Sequence, residues 1–148
     1  MTLYLHIGVG AYESLLPTAP IAEIVELDSD ETPVVDPNEG DYEPIQHRPW
    51  RRSKLPILDM RAVLECDRSC PARYSIVYTN EADGTTLYLD VDQVHGLVHL
   101  DDAQLAGLPS LSQRVSAFFD KIYVPDDAEG MLLRVRADLD FCGALLDR

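Results

Sequence analysis

The residues with the clearest capacity for chemistry in this sequence are two cysteines and two histidines. Cys66 and Cys70 are separated by three residues, and so are His95 and His99. Two thiolates and two imidazoles are a ligand set that suits tetrahedral Zn²⁺. The spacing differs from the Cys-x2-Cys of zinc knuckles, and the two histidines fall on one face of a predicted strand. These departures weaken the prediction of a zinc site. A small zinc- or cysteine-dependent protein built on these four residues is kept as an alternative to the function inferred below.

Other catalytic patterns are absent from the sequence. It contains no G-x-S-x-G elbow, no phosphate-cradling glycine loop and no H-E-x-x-H helix. The adjacent acids Asp101-Asp102 and Asp126-Asp127 fall at predicted turns, where short carboxylates usually bond to the local backbone. We therefore expect no catalytic residue, no bound metal and no cofactor.

Composition limits the classes of partner. The formal charge is −14, from 26 acidic and 12 basic residues, and such a field repels phosphate backbones and anionic lipid heads. Three cysteines form no disulfide framework, and no apolar stretch is long enough to span a bilayer. A length of 148 residues suits one domain, residues 1–148. We expect a cytoplasmic protein that neither binds nucleic acid nor inserts into membranes.

Apolar residues alternate with period two along much of the chain, which predicts a mainly β fold with about eight or nine short strands. Helices are expected only as short pieces, including an irregular one at Leu15–Ile21 and a C-terminal one at Asp138–Leu146. The predicted strands are Thr2–Val9, Ile21–Leu27, Val94–Leu100, a hairpin of Arg73–Thr79 with Thr85–Val91, and a second hairpin of Val115–Val124 with Met131–Ala137.

The segment Asp28–Pro49 differs from the rest of the chain, because it holds seven acidic residues and four prolines with few apolar ones. This composition predicts a long surface loop that is dispensable for folding. Basic residues concentrate around its C-terminal end, which indicates either local neutralisation of the acidic loop or an arginine that binds a partner or holds the structure together. The basic residues are Arg48, Arg51, Arg52, Lys54 and Arg61.

The stretch Trp50–Leu64 organises the rest of the chain. Pro56 has no amide hydrogen, so Leu55-Pro56 predicts an edge strand or a bend. Asp59 is placed to cap a short helix over Met60–Leu64. The stretch therefore predicts a buried hinge between two halves of the protein, and an ordinary strand-to-helix junction is the alternative.

Four segments resemble the CheW-like domain of bacterial chemotaxis adaptors. They read YLHIGVGAY near the start, IAEIVEL from Ile21, WRRSKLPILDMRAVL from Trp50 and LYLDVDQVHGLVHLDDAQL from Leu87. The resemblance runs through nearly the whole chain. It implies two small SH3-like five-stranded β-barrels packed on a shared core, short helices and no catalytic activity.

The resemblance also implies a function and a set of residues. It implies an adaptor that couples the cytoplasmic tip of a methyl-accepting chemoreceptor to the regulatory domain of a CheA-like histidine kinase, in a chemotaxis, pilus-motility or related array. A regulator that binds one partner only is a further alternative. The residues expected to bind partners or shape their surfaces are Ile21, Glu23, Trp50, Arg51, Leu55, Val91 and Val94.

Three expectations complete this prediction. The family commonly has an acid where this chain has Glu23 and an arginine where it has Arg51, and we expect the two to form an ion pair. The family usually has glycine where this chain has Arg52, whose side chain is expected to point outward. The kinase domain is expected to bind an exposed apolar strand edge.

Overall fold

The computed structural model describes residues 1–27, 46–67, 70–81, 84–108, 115–125 and 130–136, and the backbone alone of residues 34–35 and 113–114. These residues form twelve strands, two short α-helices and one 3-10 turn at Asp102–Gln104. In chain order they are β1 Thr2–Val9, β2 Tyr12–Pro17, β3 Ile21–Glu26, β4 Val34–Val35, β5 Gln46–Trp50, β6 Ser53–Asp59, α1 Met60–Val63, β7 Tyr74–Thr79, β8 Thr86–Val91, β9 Gln93–Leu100, β10 Ala106–Gly107, α2 Gln113–Phe118, β11 Phe119–Tyr123 and β12 Leu132–Val135.

The strands build two six-stranded sheets. The first sheet has the order β10-β11-β12-β2-β1-β9, and the second has the order β3-β7-β8-β6-β5-β4. Most neighbours are antiparallel, but β12 with β2 and β6 with β8 run parallel. The mainly β, CheW-like fold class is confirmed. Each sheet has six strands where five were expected, because each order ends in a strand of only two residues, β10 or β4.

A single apolar core lies between the two sheets, because alternate residues of the central strands point toward it. Leu5, Ile7 and Val9 enter this core from β1, and Ile76 and Leu89 enter from the second sheet. Two smaller clusters cover the opposite faces. Tyr4, Leu15 and Leu100 form the one on the first sheet, and Ile57, Val77 and Tyr88 form the one on the second.

Two predicted elements are wrong. The segment Leu15–Ile21 is no irregular helix, since β2 extends to Pro17. Proline is tolerated there because the parallel neighbour β12 pairs only with Ser14 and Leu15. The first four residues of the predicted strand Val115–Val124 belong to α2 instead. Val115 and Phe118 are three residues apart, and both are buried on one face of this helix.

The predicted boundary of the acidic loop is also wrong at its C-terminal end. Residues 46–49 belong to β5, which pairs with β6 through His47 opposite Pro56 and Arg48 opposite Leu55. Arg48 is only 9% exposed. Most of Asp28–Pro49 lies outside the described residues, as does the predicted helix Asp138–Leu146.

The central stretch is confirmed as a strand-to-helix junction. Pro56 pairs with β5, whereas pairing with β8 begins only at Ile57, so Pro56 occupies a local edge position within β6. The carboxylate of Asp59 accepts a hydrogen bond from the Arg61 amide at 3.0 Å and caps α1. The Arg61 guanidinium returns to Asp59 and also reaches Asp92 at 3.1 Å, which ties α1 to the turn between β8 and β9.

No helix in the part of the chain that the structure describes is both long and apolar enough to cross a bilayer.

Candidate functional site

A groove with a volume of about 770 Å³ opens beside the hairpin of β5 and β6, on the face of the second sheet that points away from the shared core. Side chains from β3, β5 and β8 and the turn after β5 line it. The lining residues are Ala22, Glu23, Val25, Arg48, Pro49, Trp50, Arg51 and Tyr88.

The rim of the groove is built from three of the predicted residues, but not by the predicted contact. The Trp50 indole donates a hydrogen bond from Nε1 to Glu23 Oε2 at 2.8 Å. The guanidinium of Arg51 instead lies over the Trp50 ring, with Cζ 4.4 Å from the ring centroid. Arg51 occupies the first position of the two-residue turn between β5 and β6, with φ of +55°. The predicted Glu23–Arg51 ion pair is therefore wrong, because Trp50 lies between the two groups and partners both.

The base of the groove contains the buried arginine. Nη1 of Arg48 donates to Asp90 Oδ1 at 2.9 Å and Nη2 donates to Asp90 Oδ2 at 3.1 Å. Ser75 supports both groups, since Nη1 also donates to its Oγ and its hydroxyl donates to Asp90 Oδ1. Arg48 also lies 4.9 Å above the Tyr88 ring. Two arginines of the basic cluster are thus structural: Arg61, which holds α1, and Arg48, which joins β5 to β7 and β8.

Tyr88 lines the groove between its rim and its base. Its hydroxyl donates to the Pro49 carbonyl at 2.9 Å, and its ring packs with Trp50 and Leu55. The groove lining offers aromatic faces, two guanidinium groups and a carboxylate, but no thiol and no imidazole. Aromatic side chains and arginine are enriched at protein–protein interfaces, so these groups suit the binding of a polypeptide surface.

The remaining predicted residues lie elsewhere. Leu55 packs beside Trp50 in the small cluster of the second sheet. Val91 is 0% exposed in the shared core, and Ile21 and Val94 pack against that core while partly exposed. Glu23, Trp50 and Arg51 therefore form one surface, whereas Val91 has a packing role only.

The four residues of the zinc interpretation do not come together. Cys66 lies against the end of β1, where its thiol faces the Val9 carbonyl at 3.7 Å, and burial raises the pKa of that thiol. Cys70 is exposed, and its carbonyl accepts from Arg61. His99 is exposed on β9, whereas His95 joins His6 and Glu13. This second cluster was not predicted, because pairing between β1 and β9 cannot be read from local sequence.

Among the described residues, two strands longer than two residues have a free edge at the end of a sheet. β9 and β3 stand at the ends of their sheets, and each has one described neighbour only. Leu97 on β9 is 63% exposed and Ile24 on β3 is 44% exposed, although both are large and apolar. Exposed strand edges with apolar side chains are sites where another chain adds by main-chain pairing.

Comparisons with known proteins agree on the architecture. The family model described as CheW-like domain matches residues 3–138 of this chain. The structure of the scaffolding protein TtCheW from Thermoanaerobacter tengcongensis aligns with a TM-score of 0.73 and 18% identity, covering 91% of this chain and 88% of that one. No curated protein sequence matches.

Proposed function

Because this chain belongs to the CheW-like domain family, we propose that it is a non-enzymatic, cytoplasmic adaptor of a chemotaxis-type signalling array, formed by a single domain of residues 1–148. The observation that carries this proposal is the family match across residues 3–138. The adaptor couples the cytoplasmic tip of a chemoreceptor to the regulatory domain of a CheA-like histidine kinase. The output of the array is chemotaxis, pilus motility or a related response.

The receptor tip binds in the groove beside the β5–β6 hairpin. A chemoreceptor tip is a helical bundle, and a helix presents side chains in rows that fit an aromatic-lined groove. Trp50 is held at the rim by Glu23 and covered by Arg51, so its position is fixed before binding. A rigid aromatic residue beside an arginine is the composition that interface hot spots favour.

The kinase regulatory domain binds the free edge of β9. This edge carries Leu97, which is exposed on a strand that pairs only with β1 among the described strands. Transient signalling contacts are small, on the order of 1,200 Å² or less, so a single apolar side chain on a strand edge contributes substantially to binding. The two partners would then occupy different sheets and bind at the same time.

The experiment separates the two surfaces by substitution. Trp50→Ala is expected to lose the receptor tip and keep the kinase domain, and Leu97→Lys is expected to do the reverse. Binding of each purified partner is measured by calorimetry, with Ile24→Lys on the opposite edge as the control. If wild-type protein binds neither partner at micromolar concentration, the adaptor proposal fails. If it binds only one, the chain is a single-partner regulator.

A further inference from the structure

Two histidines and one glutamate converge on the outer face of the first sheet. His6 lies on β1, Glu13 on β2 and His95 on β9, three strands that are adjacent in the sheet. His6 Nε2 is 2.7 Å from Glu13 Oε2, and His95 Nε2 is 3.2 Å from the same oxygen. The ligand atoms of the three residues all lie within 4.8 Å of one another. One carboxylate oxygen is therefore shared by two imidazoles.

A break in strand pairing brings His95 to this cluster. Ile7 pairs with Val94 and His6 pairs with Gly96, so His95 is the extra residue of a β-bulge and has no partner of its own on β1. Gly96 follows with φ of +131°, a conformation that side-chain-bearing residues rarely adopt. Bulges commonly redirect a side chain, and this one places an imidazole beside His6, with ring centroids 4.4 Å apart.

A second glycine makes room for the imidazole. A Cβ added at Gly8 would meet His95 Nε2 at 3.4 Å and the Gln93 side chain at 3.1 Å. Gly8 lies opposite Glu13 on β2 and Gln93 on β9, at the middle of the three strands. Because Gly8 has no side chain, the His95 ring can lie directly against the backbone there.

From this geometry we propose that His6, Glu13 and His95 form a binding site for a divalent transition-metal ion, and that Zn²⁺ fits this set of ligands. Two imidazoles and one carboxylate are a ligand set of three-residue zinc sites, in which water fills the fourth position. In a tetrahedral site the ligand atoms are about 3.3 Å apart. The two imidazole–carboxylate separations of 2.7 and 3.2 Å are close to this spacing, and all three ligand atoms lie within 4.8 Å, so binding requires them to shift by no more than about 1.5 Å.

The site is open to solvent, as a metal needs for entry. The side chains of His6, Glu13 and His95 are 24%, 44% and 39% exposed. The chain's formal charge of −14 attracts cations to its surface. Mg²⁺ and Ca²⁺ prefer sets of oxygen ligands, so a site with two imidazole nitrogens discriminates against them.

The test measures Zn²⁺ binding to the full chain, purified without a histidine tag and stripped of metal by a chelator. Calorimetry is expected to give one saturable Zn²⁺ site per chain, unaffected by excess Mg²⁺. Each of the variants His6→Ala, His95→Ala and Glu13→Gln should weaken binding by about tenfold or more, since even residues that only support a ligand cost that much. Bound Co²⁺ should also give a tetrahedral absorption spectrum that each variant loses.

Controls come from the residues of the sequence-based zinc interpretation. His99→Ala removes another exposed histidine of β9, and the double variant Cys66→Ser/Cys70→Ser removes two thiols, so both should bind Zn²⁺ as the wild type does. Glu13→Gln keeps the size of the side chain and tests the site even where an alanine variant is less stable. No saturable Zn²⁺ binding by wild type, or equal binding by wild type and Glu13→Gln, would overturn the proposal.

Discussion

Arg48 and Asp90 face each other as a two-point ion pair, with both guanidinium Nη atoms on both carboxylate oxygens at 2.9 and 3.1 Å. Their side chains are only 11% and 10% exposed, so removal of one partner leaves the other charge buried without its counter-ion. We expect Arg48→Ala to lower the free energy of unfolding by about 3 to 5 kcal/mol. Urea unfolding measures the loss, with the exposed Arg52→Ala as the control.

The same pair distinguishes arginine from lysine. Lysine presents one ammonium group, which cannot hold two carboxylate oxygens in parallel or stack on Tyr88 as the planar guanidinium does. Arg48→Lys should therefore lie between Arg48→Ala and wild type in stability. In a double-mutant cycle, Asp90→Ala should cost much less in the Arg48→Ala background than in wild type. Additive losses would contradict the pairing.

In the turn between β5 and β6, we expect glycine to be more stable than alanine at Arg51 and less stable than alanine at Arg52. Arg51 has positive φ, which costs a residue with a Cβ about 1 kcal/mol, whereas Arg52 does not. Arg51→Gly relieves this strain, and both Arg51→Gly and Arg51→Ala lose the contact with Trp50. Arg51→Gly should thus be the more stable of the two by about 1 kcal/mol.

At Arg52 the order should reverse, with Arg52→Ala more stable than Arg52→Gly, because glycine there only adds freedom to the unfolded chain. The four variants are compared by thermal unfolding at one protein concentration. The same order at both positions would show that backbone strain at Arg51 does not contribute to stability.

The two described cysteines should differ in their reaction with alkylating reagents. Burial raises the pKa of the Cys66 thiol, and nearby Asp92 adds to that rise. The pocket is tight, since a Cβ at Gly10 would come within 2.5 Å of Cys66 Sγ. Cys70 is exposed. In a Cys142→Ser background, mass spectrometry at pH 8 should find Cys70 modified well before Cys66, and faster reaction at Cys66 would contradict the assignment.

Tyr78 should make the protein sensitive to alkali. Burial in the shared core raises the pKa of its phenol from 10.0 to about 12. Between these values the unfolded chain has lost this proton and the folded chain still holds it, so stability is complete below pH 10 and falls as the pH rises toward 12. In Tyr78→Phe, the free energy of unfolding measured in urea should fall by roughly 2 kcal/mol less across this pH range than it does in wild type. An identical fall in the variant would exclude Tyr78 as its source.

Local sequence predicts the regular strands well because burial follows a period of two. The strand Thr2–Val9 has the predicted bounds, and Ile21–Glu26 and Gln93–Leu100 differ by one residue. Asp59 also caps α1 as its position before Met60 indicates. The position of α2 was missed because Val115 and Phe118 fit a short helix and a strand almost equally.

The side-chain partners could be predicted only in part. Glu23, Trp50 and Arg51 do lie together, as the sequence predicts, but the contacts join Trp50 to each of the other two, because the order of side chains across a turn depends on its backbone angles. The sequence indicates His95 as a candidate metal ligand but not its partners His6 and Glu13. His6 and His95 are 89 positions apart, and a bulge between β1 and β9 decides that they meet.

The position of β1 also has a consequence for the time course of folding. Thr2 pairs with Leu100, so one side of β1 remains unpaired until residues nearly one hundred positions further along the sequence have been synthesised. The hairpin of β1 and β2 can form early, but the side of β1 that belongs to β9 stays open during this interval. Such long-range pairing slows folding and leaves an apolar strand edge exposed to aggregation. Until β9 is available, the open side of β1 can therefore pair with another copy of the chain.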